Sequence, residues 1–261
     1  MPEGDTVYRA AAGLRRALDG KVLTLTDFRV PQLATTDLAG GVVTAVRSRG
    51  KHLLIDITRD DLASPVSIHS HLQMEGRWDV HQLGAQWRRP THEARVVLRT
   101  EDSEAVGFSL GTLELLTDPD AELAYLGPDL LGDDWDAAEA TRRIEAQPDT
   151  PIGVALLDQR LMAGVGNEYR SELCFVRGVL PGRPVAAVDV AAMVDLAHRM
   201  LWANRMRVAR TTTGVTGHAA RLYVYGRRGR PCRRCGTLIL RGSLGPPGAD
   251  RVIYWCPNCQ S

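Results

Sequence analysis

The chain has 261 residues, of which 44% are hydrophobic, enough for two domains or for one large domain with an appendage. No apolar run approaches the roughly 20 residues that a bilayer-spanning helix needs, and the N-terminus lacks the basic-then-apolar pattern of an export signal. A soluble protein of the reducing cytoplasm is the expectation. The formal net charge of +1 hides an asymmetry: Arg199 to Ser261 holds twelve arginines and one acid, whereas Glu101 to Thr150 holds fourteen acids and two bases. Positive charge gathered at one end points to a polyanionic partner, most commonly nucleic acid. The alternative is that the acidic stretch folds over the basic one. Only two lysines, Lys21 and Lys51, stand against thirty arginines, a skew that singles out Lys51 as a position where arginine does not substitute.

In chain order, the first element reads as a helix. Val7, Ala10, Ala11, Leu14, Ala17 and Leu18 follow the helical period after Gly4-Asp5, and Gly20 stops it. Short β-rich runs follow at 22–30, 42–46, 52–57, 66–69, 95–98 and 113–117, each bounded by Gly, Pro or Asp. Many short strands at this spacing predict a β-sandwich or barrel. The acidic, Pro- and Gly-punctuated stretch from Gly127 to Pro151 reads as a domain junction. Beyond it the period changes. Thr150-Pro151 reads as a helix start, the glycines of Met162-Ala-Gly-Val-Gly166 break that helix, a second runs from Asn167 to Val176, and a longer one runs from about Asp189 to Asn204. Arg210 to Arg221 is Thr/Gly-rich and is expected to be mobile.

The last thirty residues carry two CxxC pairs, Cys232/Cys235 and Cys256/Cys259, separated by twenty residues. Each knuckle presents two thiolates from one tight turn, and a hairpin of that length can bring the four around a tetrahedral ion. A pair of redox disulfides is the alternative. Zinc is favoured because an export signal is lacking and a fifth cysteine, Cys174, would be left over. Four cysteines leave no open coordination position, so the ion would be structural.

At the other end stands Pro2-Glu3. Removal of Met1 would leave Pro2 as a secondary amine. An α-amino group titrates near ~8, so about a tenth is neutral at pH 7, a far larger share than for lysine. Such an amine can form an iminium with a sugar carbon, and the neighbouring Glu3 can serve as the acid or base the reaction needs. The basic turn Arg47-Ser-Arg-Gly-Lys51-His52 reads either as a solvated loop or as a phosphate clamp at a sheet edge. In Gly164-Val-Gly-Asn167, glycines ahead of a helix start let the backbone approach phosphate closely. His69 and His71 alternate on one strand, and Cys174 beside Phe175 reads as a core thiol.

Pro2-Glu3, the Gly50-Lys51 turn, Leu157-Asp-Gln-Arg-Leu-Met-Ala-Gly-Val-Gly-Asn167, and Tyr225-Gly-Arg ahead of a four-cysteine ribbon occur in that order. Together they resemble the formamidopyrimidine-DNA glycosylase / endonuclease VIII family of base-excision repair enzymes from residue 2 to residue 259. Pro-Glu-Gly at the start and Trp78 after Gly76 are similar to the actinobacterial endonuclease VIII side. The resemblance implies an α+β fold with an N-terminal helix and β-sandwich (1–130), a junction (131–150), a helix–two-turns–helix domain (151–224) and a zinc-ribbon finger (225–261). It implies a bifunctional DNA glycosylase and AP lyase acting on oxidised pyrimidines, ring-opened purines and hydantoins by β,δ-elimination. The partner would be damaged DNA, the cofactor one structural zinc held by Cys232, Cys235, Cys256 and Cys259, and the enzyme a monomer. Pro2 would be the nucleophile and Glu3 the acid that protonates the deoxyribose ring oxygen. Lys51, Asn167 and Arg251 would grip phosphates, and Met74 would fill the space of the flipped base. The family's second Pro-Glu is replaced here by Asp5-Thr6, so one carboxylate is missing unless Asp5 stands in one position off. The competing reading is a catalytically weak damaged-DNA-binding paralogue on the same scaffold.

Overall fold

A computed structural model describes residues 2–217 and 220–261. The chain divides into two compact units, one formed by Pro2 with Thr6–Tyr125 and the other by Glu3–Asp5 with Leu126–Ser261. Among the described residues no helix is long and apolar enough to cross a membrane.

The first unit joins helix α1 (Gly4–Leu18) to eight strands: β1 (Leu25–Phe28), β2 (Val42–Arg49), β3 (His52–Thr58), β4 (Val66–His71), β5 (Arg77–Gln82), β6 (Ala94–Arg99), β7 (Ser103–Phe108) and β8 (Thr112–Leu116). They form two four-stranded antiparallel sheets, ordered β1-β6-β7-β5 and β2-β3-β4-β8. This is the expected β-sandwich. One core cluster draws Val46, Leu53, Ile55 and Ile68 from one sheet, Val96, Leu98 and Ala105 from the other, and Val7, Ala11, Leu14 and Leu18 from α1. The helical residues recur at three- and four-residue intervals because that period sets one stripe of α1 against the core. A single turn, α2 (Pro119–Glu122), follows, capped by the Asp118 side chain on the Ala121 N–H.

Two strands escaped the sequence reading, for opposite reasons. In β5 only Trp78 is buried, and Val80, its one other apolar residue, is exposed, so the alternation is too short to stand out. In β7 every residue is buried, including Ser103 and Glu104. Glu104 tolerates this because it accepts from Trp87 Nε1 at 2.6 Å and pairs with Arg99.

The second unit contains α3 (Ala137–Glu145), α4 (Ile152–Ala155), α5 (Asn167–Arg177), α6 (Val190–Asn204) and an antiparallel hairpin of β9 (Leu240–Leu244) and β10 (Arg251–Trp255). Helix α5 is its axis: Tyr169 through Phe175 are all buried, and Gly178 ends the helix in the left-handed conformation at φ 71°. The expected junction at 131–150 carries α3, which buries Ala140 and Ile144 and packs on α6. Its acidic composition disguised it, because the acids lie on the solvent face and Asp136 caps the helix through the Glu139 N–H.

At both ends of the stretch 210–221, expected to be mobile, the described residues are hydrogen-bonded. Thr211 is buried and exchanges hydrogen bonds with Asn204, its N–H reaching Oδ1 at 2.8 Å and its carbonyl accepting from Nδ2 at 2.9 Å. Thr212 N–H donates to the Arg221 carbonyl and Thr213 Oγ1 to that of Ala220. Polar Thr/Gly sequence reads as loose until its hydroxyls are seen to have fixed partners. His218 and Ala219, within the same stretch, lie outside the described residues.

Candidate active site

Glu3 is fully buried, and its carboxylate sits on the first turn of α5. One oxygen accepts from the Gly166 N–H at 2.6 Å and the other from the Glu168 N–H at 2.8 Å, with Tyr169 N at 3.4 Å. Gly166, at the N-cap, brings no side chain of its own to these N–H groups, so a residue from the far end of the chain supplies the cap. An anion is favoured there by the free N–H groups and by the helix dipole. The glycines ahead of α5 make room. A Cβ on Gly166 would come within 2.5 Å of Glu3 Cδ, and Gly164, at φ 115°, accepts the Gly4 N–H on its carbonyl at 2.9 Å.

Next to Glu3 lies a charge cluster. Arg210 holds Asp5 with Nε at 3.0 Å and Nη2 at 2.6 Å, reaches Glu3 Oε1 with Nη1 at 3.4 Å, and lies 3.5 Å from Glu168 Oε1. Tyr169 donates its hydroxyl to Asp5 at 3.0 Å, and its ring lies under the guanidinium at 4.8 Å. Burial lowers the tendency of Arg210 to stay charged, but Glu3, Asp5 and Glu168 outweigh it and raise its pKa. Burial pushes Glu168 up to about 7; Arg210 opposes that rise and Glu3 adds to it. Sequence reasoning missed Arg210 and Glu168. A carboxylate directly after Asn167 was the available signal for Glu168, whereas Arg210 lies 205 residues from Asp5 and gives none.

The remaining predicted residues fall into separate places. Pro2 is half-buried and is assigned with the first unit, while Glu3 belongs to the second; Met1 lies outside the described residues. Lys51 is half-buried on the β2–β3 turn, beside Gly50 at φ 57°. Met74 is 67% exposed at the tip of the β4–β5 turn. These two turns share one end of the sheet, because His52 pairs with His71. Gln73, also at positive φ, folds back over Gly111, where a Cβ would overlap it, and Met74 is the exposed large apolar side chain of the turn. Asn167 opens α5 with its Oδ1 buried and without a partner among the described residues. Arg251 is exposed at the start of β10.

His69 is part of a hydrogen-bonded chain. Its Nδ1–H donates to Glu114 at 2.7 Å, so Nε2 accepts from His52 Nδ1–H at 2.8 Å, and His52 Nε2 accepts the Tyr125 hydroxyl at 3.2 Å. Burial first, then His69, His71 and Lys51, push His52 down to about 3, which keeps the neutral tautomer this chain requires.

The four ribbon cysteines converge, with all four Sγ atoms within 4.8 Å of one another. Cys232 and Cys259 are 3.9 Å apart and Cys235 and Cys256 3.5 Å, against about 3.8 Å for a tetrahedron of thiolates at about 2.3 Å from zinc. The residues present fit a four-coordinate ion. Cys174 stands apart, fully buried, its thiol pushed up to about 12 by burial. Glu172, two residues before it, accepts from the N–H groups of Tyr223, Val224 and Tyr225, each at 2.8 Å. That carboxylate anchors the segment entering the ribbon to α5.

Sequence profiles of the formamidopyrimidine-DNA glycosylase N-terminal domain and of the H2TH domain of the same enzyme match residues 1–109 and 126–216. The chain belongs to the formamidopyrimidine-DNA glycosylase and endonuclease VIII family, on its actinobacterial branch. It is 54% identical to "DNA-(apurinic or apyrimidinic site) lyase Nei2" of Mycolicibacterium smegmatis, covering 100% of this chain and 99% of that one. It is 51% identical to "Endonuclease 8 2" of Mycobacterium tuberculosis over the whole of both chains. "Endonuclease 8" of Escherichia coli is 33% identical, again over both whole chains. In fold it is similar to the Lactococcus lactis Fpg solved with abasic-site DNA, with a TM-score of 0.78 at 23% identity over 100% of each chain.

Proposed function

We propose that this chain is a bifunctional DNA glycosylase and AP lyase that removes oxidised bases from DNA. The observation that carries this reading is the seating of Glu3. A carboxylate one residue from the N-terminal proline is sealed at the head of α5 by two backbone N–H groups and neighboured by Arg210. A structural carboxylate on a terminal segment is ordinarily exposed; sealing this one against a glycine-rich helix start preorganises it for chemistry.

In this reading, Met1 is removed and the secondary amine of Pro2 attacks C1′ of the damaged nucleotide. The base departs with the glycosidic electron pair, and Glu3 takes the proton that the Pro2 nitrogen loses and passes it to the ring oxygen as the sugar opens to an iminium on Pro2. Elimination then breaks the C–O bond on the 3′ side and next the one on the 5′ side, and hydrolysis returns the amine. Lys51, Asn167 and Arg251 hold backbone phosphates, Asn167 through its Nδ2 donors from a half-exposed position at the head of α5. Met74, the exposed large apolar side chain of its turn, takes the place of the extruded base, for which unstacking costs a few kcal/mol. Cys232, Cys235, Cys256 and Cys259 hold one zinc ion, which when bound staples the finger and supplies no open coordination site. Oxidised pyrimidines, ring-opened purines and hydantoins are the expected lesions.

Borohydride trapping on abasic-site DNA tests the reading. Mature protein should give a covalent adduct at Pro2, located by mass spectrometry of the N-terminal peptide. Normal DNA binding without an adduct, or an active preparation that retains Met1, would overturn the iminium route and leave a DNA-holding protein.

A further inference from the structure

Among the described residues Arg170 heads the largest fully buried side chains, and no carboxylate pairs with it. Its guanidinium is spent on backbone carbonyls from three separate segments. Nη1 donates to Gly153 at 3.0 Å and lies 3.5 Å from the Leu244 carbonyl, and Nη2 donates to Arg251 at 2.9 Å and Val252 at 3.1 Å. Gly153 belongs to α4, Leu244 ends β9, and Arg251 and Val252 begin β10. Nε is buried without a partner among the described residues. Burial pushes the group down to about 10, so it remains charged at neutral pH.

A buried cation without a paired carboxylate is costly, and a methionine of similar length would fill the same space without that penalty. What methionine lacks is a planar fork of donors that can gather carbonyls from several strands at once. The place gathered is the loop end of the β9–β10 hairpin. The cysteine site holds the opposite end, next to Trp255 and Leu240. Arg251 is five residues from Cys256, about 17 Å along an extended strand. A metal at the knuckles therefore does not by itself fix where Arg251 stands.

We propose that Arg170 is a positioning residue for Arg251, clamping the loop end of the ribbon hairpin to α5 so that the exposed Arg251 guanidinium meets a DNA phosphate in one fixed place. This rests on the phosphate-clamp reading of Arg251 given above. It assigns the two ends of the finger to different anchors, a thiolate cage at one and a buried guanidinium at the other.

The test is a double-mutant cycle read by fluorescence anisotropy on a duplex carrying a reduced abasic site, over a series of salt concentrations. Arg251→Ala should flatten the slope of log K against log salt by about 0.9, the value for one phosphate contact. Arg170→Met should flatten it by a similar amount with bound zinc per chain unchanged, and Arg170→Met in the Arg251→Ala background should add no further loss. Should Arg170→Met fail to fold, Arg170→Lys carries the same test, since an ammonium keeps the charge but cannot span three segments. An Arg170 variant that weakens binding by the same factor with and without Arg251 overturns the inference while leaving the clamp intact. An Arg251→Ala protein with wild-type affinity and slope overturns the clamp itself, and the inference with it.

Discussion

Arg210 grips Asp5 with two nitrogens, and the same guanidinium reaches Glu3 Oε1 at 3.4 Å. Asp5 stands where the family resemblance led one to expect proline. Thr6 takes the place of that motif's glutamate, so the carboxylate lost there has a counterpart one position earlier. Its role is visible in its partners. Asp5 does not face solvent; it is buried, occupied by Arg210 and the Tyr169 hydroxyl, and fixes the cation that neighbours Glu3. The departure from the motif thus moves the second carboxylate into the support of the first.

Breaking this pair should be expensive. Removing one partner of a buried ion pair costs about 3–5 kcal/mol because the other charge is left stranded. Asp5→Ala should lower the stability measured by urea denaturation by about that amount, and adding Arg210→Met should restore part of it. A loss below about 1 kcal/mol for Asp5→Ala would show that Glu3 and Glu168 compensate Arg210 unaided.

Glu168 should make stability fall as pH rises. Its folded pKa is raised to about 7 from an ordinary 4.5, so the folded protein keeps the proton longer than the unfolded chain. That contribution is fully present below about pH 4.5 and is lost as pH climbs through about 7. Glu168→Gln, which cannot ionise, should gain on the wild type across this window, by an amount on the order of 3 kcal/mol at pH 8. Parallel stability–pH curves for the two proteins would contradict the assignment.

Gly166→Ala places a methyl group within 2.5 Å of Glu3 Cδ and should expel the carboxylate from the head of α5. Acid–base groups contribute about 100-fold or more to such reactions, so base excision should fall by at least that factor while zinc content is kept. Full activity in this variant would mean that the seating of Glu3 is incidental.

Stripping the metal with a chelator should unfold the finger locally. Cys232 and Cys256 are part of a small buried cluster with Phe175, Val224 and Ile239, and metal binding in such modules is folding free energy. The expected result is loss of DNA affinity and loss of amide-exchange protection in 223–260, with the sandwich core unaffected. One zinc per chain by elemental analysis, restored with binding on readdition, completes the measurement.

Much of this architecture was legible from local chemistry. The helical period marked α1 and α6, β-rich runs bounded by Gly, Pro or Asp marked six of the eight sandwich strands, and the glycine break before Asn167 marked α5, because turns and one-sided burial leave local signals. Two CxxC pairs announced the ribbon, because a tetrahedral thiolate site constrains spacing strongly. Strand β7 and helix α3 were hidden by their acids, one buried beside Arg99 and Trp87, the others lining a solvent face. Thr211 to Thr213 read as loose because the partners that tie those residues down are not their neighbours in sequence.

The amino-acid sequence by itself determined the set of chemical groups: a proline and a glutamate at the start, glycines ahead of α5, arginines and four thiolates at the end. Only the tertiary structure decided which of those groups support one another. Glu3 caps a helix 163 residues away, Asp5 and Arg210 pair across 205 residues, and Arg170 gathers carbonyls from both strands of the ribbon. The physical reason is that a motif reflects constraints on short-range geometry, whereas the partner of a buried charge is set by desolvation, which acts only once the chain has folded and brought distant segments together.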